Sequence, residues 1–329
     1  MIQYNFERIK VLITSACNSN CTHCFRNVDK NTTEISWSKL KEIVDFGVAN
    51  SCQLFSFSGG EFFTHLAAYD LIEYCLAQNV HVSILTNALQ IDIPFFERVK
   101  NKSLVSFQVS IDGLKENHDS RRGTGAFDKT IFNVKQLYSL GYTLSAKTAL
   151  DENNYADIAK IIQMPWFSNF LVLPVALYAK DCVNRVMKAE YKKFEQVIQI
   201  IYKELASTNT NNHQCHCYPQ ELAIKYDGGV YPCTEAREHN EFLIGNITDR
   251  SIRDVLAEYE SSHEKKFICS QAKVQACEKC LYNLACNHGC RLRALRFHGN
   301  FLSPDPFNCR VFNNEHLDIP IGQLFWGDK

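Results

Sequence analysis

Cys17-Asn18-Ser19-Asn20-Cys21-Thr22-His23-Cys24-Phe25 follows directly on the apolar run Ile9 to Ile13 and sets three cysteines at CxxxCxxC spacing. Three thiolates this close can hold a four-iron four-sulfur cluster and leave its fourth iron without a protein ligand. A structural metal site closes its shell, whereas a catalytic one keeps a position open for a small molecule. No fourth cysteine lies nearby, since Cys52 comes only after a full helical stretch. The competing reading is half a zinc site, completed by His23 or a distant group; the spacing favours the cluster.

Outward from this loop, residues 8 to about 206 alternate short β-branched runs with helical ones. The expected strands are Arg8–Thr14, Gln53–Ser58, Val80–Thr86, Leu104–Ile111, Thr143–Leu150 and Phe170–Val175. The expected helices are one opened by Ser36 as N-cap, then Leu66–Gln78, Pro94–Lys100, Phe127–Leu140, Tyr155–Gln163 and Ala189–Ser207. Six βα units imply a parallel sheet with helices outside it, short of the eight that close a barrel. The fold class is therefore α/β: an open, partial (β/α)6, TIM-like barrel over residues 1–206, then a small cysteine-rich domain over 207–329.

Polar signatures fall where these strands end, which is where α/β proteins place their chemistry. Strand two ends in Ser58-Gly59-Gly60-Glu61 and strand three in Thr86-Asn87. Strand four ends in Ser110-Ile111-Asp112-Gly113, followed by His118-Asp119-Ser120-Arg121-Arg122-Gly123. Each fragment has a plain structural reading: a glycine turn, a turn cap at Asp112, solvated arginines. Their convergence on one mouth carries more weight than any one of them.

With these motifs in place, the chain resembles the radical S-adenosylmethionine (SAM) superfamily. The resemblance implies that Cys17, Cys21 and Cys24 hold a cluster whose open iron chelates SAM. It places backbone around Gly59, Gly60 and Glu61 at the SAM amino group, Ser110 and Arg122 at its carboxylate or ribose, and Phe25 beside adenine. Asp112 goes with this cofactor-binding set. The family's turn continues with proline, where this chain has Phe62.

The second half changes character. Glu221–Tyr226 and Val230–Tyr231 read as a hairpin around Asp227-Gly228-Gly229, and Ser251–Tyr259 as a helix. The cysteines are Cys215, Cys217 and Cys233, then Cys277, Cys280, Cys286 and Cys290 at Cx2Cx5Cx3C, then Cys309. This spacing resembles the SPASM domain, the C-terminal extension of radical SAM enzymes that mature peptides and proteins. The resemblance implies two auxiliary four-iron four-sulfur clusters, hence three in all. One would sit on Cys217, Cys233 and Cys290, with Cys215 as a candidate fourth ligand or as the opening cysteine in place of Cys217. The other would sit on Cys277, Cys280, Cys286 and Cys309. Paired structural zinc sites are the alternative.

Fifteen cysteines in a long chain without an export signal point to metal ligation in a reducing cytoplasm rather than to disulfides. A net charge of −1 offers no basic field for nucleic acid, and no stretch reaches the length of a membrane span. Cys52 and Cys75 read as small buried hydrophobes. Cys182, beyond strand six, is either structural or a hydrogen-atom donor.

The resemblance implies maturation of a ribosomally made peptide by hydrogen abstraction, with crosslinking first and epimerisation second. Leader binding is expected to use a separate protein or direct contacts, because little chain precedes strand one, and a reductase such as flavodoxin or ferredoxin is expected as a partner. Formylglycine formation is the rival; there the family carries an aspartate where this chain has Thr234, so Glu235 is the candidate base. Dehydrogenation of a sugar alcohol and a non-catalytic electron carrier are the remaining alternatives.

Overall fold

The computed structural model describes residues 4–24, 32–150, 153–174, 217–262, 274–280, 288–305 and 309. The expected helix Ala189–Ser207 and the division at 206/207 fall outside them, as do Phe25, Cys182, Cys215 and Cys286. The chain divides into two compact units. One comprises Met1–Ala149, Ala156–Val172 and Cys217–Phe267; the other comprises Leu150–Tyr155, Leu173–His216 and Ile268–Lys329.

In the first unit, strict alternation along the strands gives the sheet two unlike faces. β1 (Arg8–Leu12), β2 (Leu54–Ser58), β3 (His81–Thr86), β4 (Val105–Ser110) and β5 (Thr143–Leu150) pair in parallel, each with the next. One face carries Ile9, Val11, Phe55, Phe57, Val82, Ile84, Phe107, Val109 and Leu144, all buried. α1 (Trp37–Ala49), α2 (Ala68–Ala77), α3 (Ile93–Arg98), α4 (Lys115–Arg122), α5 (Ala126–Ser139) and α6 (Tyr155–Ile162) alternate with the strands, and β6 (Asn169–Pro174) ends the series.

Ser36 caps α1 by accepting the Lys39 N–H, and Leu40, Ile43 and Val44 turn inward at helical spacing. Gly47 lets α1 approach closely, since a Cβ there would lie 2.4 Å from the Phe55 ring. Each of these fully buried aromatics contributes about 1.5–3 kcal/mol in area removed from water. The opposite face carries Lys10, Ser56, Ser58, Ser83, Gln108, Ser110, Ser145 and Lys147, which are half-buried apart from Ser56, a polar lining that helices do not need.

The sheet order is β6-β5-β4-β3-β2-β1-β7-β8-β9, with β7 (Glu221–Ile224), β8 (Gly229–Tyr231) and β9 (Gly245–Asn246) from the second half of the chain. β7 runs parallel to β1, Arg8 opposite Glu221, and forms the expected hairpin with β8. This pairing satisfies an edge that β1 would otherwise present bare. Lys10 Nζ meets Glu221 Oε1 at 2.7 Å. α7 (Ile252–Ser261) starts at Ser251, whose hydroxyl accepts the Asp254 N–H, and buries Ile252, Val255 and Leu256. Strand one is shorter than its expected Arg8–Thr14, because Thr14 leaves the ladder to bridge Glu34.

In the second unit, α8 (Arg291–His298) begins at Cys290 and ends at Gly299, which takes a left-handed cap. Asp305, 1% exposed, fastens its start: it accepts the Cys290 N–H at 2.7 Å and the fork of Arg293 at 2.6–3.2 Å. Gly289 fits because a Cβ there would lie 2.4 Å from the Asp305 carboxylate. Among the described residues no helix is long and apolar enough to cross a membrane.

Candidate functional site

The CxxxCxxC loop leaves the C-terminal end of β1 and is stitched to the turn after β2. Gly60 N–H donates to the Thr14 carbonyl at 2.7 Å and Glu61 N–H to the Ala16 carbonyl at 2.8 Å. Gly59 has φ +150°, and a Cβ would stand 2.4 Å from the Thr14 oxygen, so no other residue fits this crossing. Among the described residues no donor reaches the Gly59 or Gly60 carbonyls, which leaves them as acceptors.

The Glu61 side chain does other work. Its carboxylate accepts from Thr86 Oγ1 at 2.6 Å and from the Asn87 N–H at 2.7 Å, which locks the ends of β2 and β3 together. Burial pushes the carboxyl up, against the pull of these donors. Asn87 then donates to Asn18 Oδ1 at 2.8 Å, inside the cysteine loop.

From the β4 end comes a charged clamp. Asp112, fully buried, takes the Arg122 guanidinium and His23 Nε2 (3.2 Å) on one oxygen and the Ala149 N–H (2.8 Å) on the other. Burial alone would raise its pKa, but the Arg122 and His23 partners hold the carboxyl well below the usual range. Arg122 Nη1 stands 3.9 Å from Cys21 Sγ. The last turn of α4 also presents carbonyls to the loop: Arg121 accepts the Thr22 N–H at 3.0 Å and Arg122 accepts Ser19 Oγ at 3.1 Å. Burial lowers His118 to about 4, so it stays neutral and accepts the Asp112 N–H on Nδ1 at 3.2 Å.

The structure thus brings Cys17, Cys21, Cys24, Gly59, Gly60, Glu61, Ser110, Asp112 and Arg122 to the strand ends of one unit. Both carboxylates are taken up by protein donors, whereas among the described residues the Gly59 and Gly60 carbonyls are not. Lys147 is the residue that sequence reasoning missed. It lies opposite Ser110 in the β4–β5 register and therefore on the same polar face. Burial lowers its ammonium to about 8, with Glu235 opposing and Arg237, Lys10 and Arg122 adding to the fall. Glu235 itself is exposed on the short 3-10 turn Thr234–Glu238, immediately after Cys233.

The family model of the Radical SAM superfamily matches residues 11–164, and that of SPASM, the iron-sulfur cluster-binding domain, matches 215–281. The chain belongs to the radical SAM superfamily. Among curated relatives of this radical SAM enzyme is the AdoMet-dependent heme synthase of Methanosarcina barkeri, 22% identical over 90% of this chain and 94% of that protein. The cysteine-type anaerobic sulfatase-maturating enzyme of Clostridium novyi is 26% identical over 84% and 86%. The antilisterial bacteriocin subtilosin biosynthesis protein AlbA of Bacillus subtilis is 26% identical over 86% and 66%. The solved structure of native anSMEcpe with bound AdoMet and Cp18Cys peptide superposes with a TM-score of 0.74, 20% identity, and coverage of 94% and 95%.

The donors present suit the cofactors this family implies. All three loop cysteines are free and half-buried, and His23 Nδ1 beside them is buried without a partner. Among the described SPASM cysteines, Cys217, Cys277 and Cys309 are buried and Cys233, Cys280 and Cys290 half-buried. Among the described residues no three His, Cys, Asp or Glu side chains are gathered around a single-ion position. Cys52 and Cys75, by contrast, are sealed in the apolar core, and burial lifts the Cys52 thiol to about 11, which makes both inert packing residues as expected.

Proposed function

We propose that this radical SAM enzyme matures a ribosomally made peptide, abstracting hydrogen from a side chain or α-carbon and leaving a crosslink, with epimerisation as the second outcome. The observation that carries the reading is a three-cysteine loop at a polar barrel mouth in a chain that also matches the iron-sulfur SPASM domain. When bound, SAM and a reduced cluster supply a 5′-deoxyadenosyl radical. The protein's part is to orient and protect. Cys17, Cys21 and Cys24 would hold the cluster; the Gly59 and Gly60 carbonyls would accept from the SAM ammonium, and Ser110 and Lys147 would meet its carboxylate.

In this reading Asp112 and Glu61 act by positioning, since their oxygens are occupied by protein donors. The SPASM cysteines would hold two auxiliary clusters, which would supply an electron sink suited to oxidative products. Phe25, Cys182, Cys215 and Cys286 keep their sequence-based roles in this proposal: adenine contact, candidate hydrogen donor and cluster ligands. An external reductase supplies the electron, and the enzyme works in the cytoplasm.

The C. novyi relative favours formylglycine formation as a second reading, with Glu235 as base. The test is anaerobic incubation of reduced enzyme with SAM and candidate precursor peptides encoded near its gene. Release of 5′-deoxyadenosine with a two-hydrogen mass loss marks a crosslink, and deuterium uptake at an α-carbon marks epimerisation. Conversion of a sulfatase-type serine or cysteine peptide, with no precursor modified, sinks the proposal in favour of the rival.

A further inference from the structure

In the first unit, the polar face of the sheet is hollow where a barrel interior is ordinarily full. Barrels of this architecture pack their inside with layers of bulky branched side chains. Here the strand register sets Lys10, Ser56, Ser83 and Ser106 in one row across β1 to β4. In the next row Gln108 and Ser145 stand two residues before Ser110 and Lys147, roughly 6.5 Å beneath the mouth. Serine fills little of the space that valine or isoleucine would occupy, and Ser83 and Gln108 are half-buried rather than sealed.

The polar groups on this face are also unspent. Ser106 and Ser145 turn their hydroxyls back on the Val82 and Phe107 carbonyls, at 3.5 and 3.2 Å. No described residue hydrogen-bonds the Ser56, Ser58 or Ser83 hydroxyl or the Gln108 carboxamide. An apolar group pressed onto them would strip their water and return no partner. A charged group entering from the mouth finds no free counter-charge. Lys10 Nζ is matched by Glu221 Oε1 at 2.7 Å, and Lys147 by the cofactor carboxylate in the reading above. Arg8 lies three rows from Ser110, about 20 Å along the strands and out of a side chain's reach.

We propose that this face receives the substrate residue that gives up hydrogen, and that it selects an uncharged hydrogen-bonding side chain: serine, threonine, asparagine or glutamine. The inference rests on the peptide reading above and narrows its substrate class. The Gln108 carboxamide both donates and accepts, so a hydroxyl and a carboxamide each find a partner there. A site built to hydrogen-bond its substrate rejects analogues that lack the polar group far more strongly than an apolar pocket rejects one that adds it.

The experiment uses the full-length reconstituted enzyme, reduced, with SAM and the precursor peptide modified in the assay above. Deuterium is placed at the α- and β-carbons of one residue type at a time, and its transfer into 5′-deoxyadenosine shows which residue gives up hydrogen. Transfer from serine, threonine, asparagine or glutamine is expected. Transfer from an apolar or charged residue overturns the proposal alone. The second measurement is the ratio of kcat/KM for the native precursor to that for a precursor with leucine at the same residue. Gln108→Leu should lower this ratio about 10- to 100-fold. If that variant does not fold, Ser83→Ala, which removes a hydroxyl without filling the hollow, should lower it about 2- to 10-fold. An unchanged ratio overturns the assignment of this face. Absence of transfer from every precursor overturns the peptide reading itself, and this inference with it.

Discussion

The two cysteine-bearing regions solve opposite problems. The CxxxCxxC loop keeps its three cysteines half-buried and is braced from outside, by a buried carboxylate just beyond the end of β4 and by the last turn of α4. The segment around α8 instead buries Cys277 and Cys309, and next to Cys290 in the chain it buries Arg291, whose Nη1 is held by the Phe301 and Ser303 carbonyls. A centre that must admit a cofactor has to stay open, so its rigidity comes from a second layer. A centre that only stores an electron can close, and its pocket charge sets how willingly it does so.

The sharpest way to break this contrast is Cys24→Ala. It should abolish release of 5′-deoxyadenosine while about two-thirds of the iron remains, read by product chromatography and iron assay. Loss of all iron would mean that the two regions are not independent centres. Asp112→Ala comes next, because it strips the brace and leaves Arg122 and His23 buried without their anion. The expected cost is about 3–5 kcal/mol in denaturant unfolding, with weakened SAM binding. An Asp112→Ala protein of native stability would show that the clamp is not what holds the loop.

How much of this was legible beforehand follows from distance along the chain. CxxxCxxC is a local spacing, and the alternation that put Ser110 and Asp112 at a strand end is local too. α4 went unforeseen because Lys115–Arg122 has no apolar stripe; it is held instead by Asp119, whose carboxylate accepts the Gly125 and Phe127 N–H groups. The brace itself joins Arg122 to Cys21 and His23, about a hundred residues apart, and no pattern announces such a meeting. Lys147 was hidden for a related reason: alternation gives a face, but only the register with β4 sets it beside Ser110. The hairpin was visible, whereas its parallel docking on β1 needed the sheet.

Gly59→Ala tests the stitching at a smaller scale. A Cβ at φ +150° would press on the Thr14 carbonyl, at a cost of about 1–3 kcal/mol, and would displace the two carbonyls assigned to the SAM ammonium. SAM affinity, followed by the change in the reduced cluster's EPR signal, should fall more than thermal stability does. Equal loss in both would make the turn structural only.

The smallest effect belongs to Lys147, and it separates an open mouth from a closed store by charge alone. Its ammonium titrates near 8, because burial and the neighbouring Arg237, Lys10 and Arg122 outweigh Glu235. The folded protein therefore binds one proton fewer than the unfolded chain between about pH 8 and the ordinary lysine value of about 10.4. Stability from this group rises with pH across that window, the reverse of a lysine gaining an acidic partner. Lys147→Met should flatten the slope of unfolding free energy over that range. Amine acylation read by mass spectrometry should reach half its maximum at Lys147 near pH 8, and bound SAM should protect the residue by pairing its carboxylate with the ammonium. Labelling that rises only with the bulk of the lysines would remove Lys147 from the mouth's chemistry and leave Ser110 without its charged neighbour.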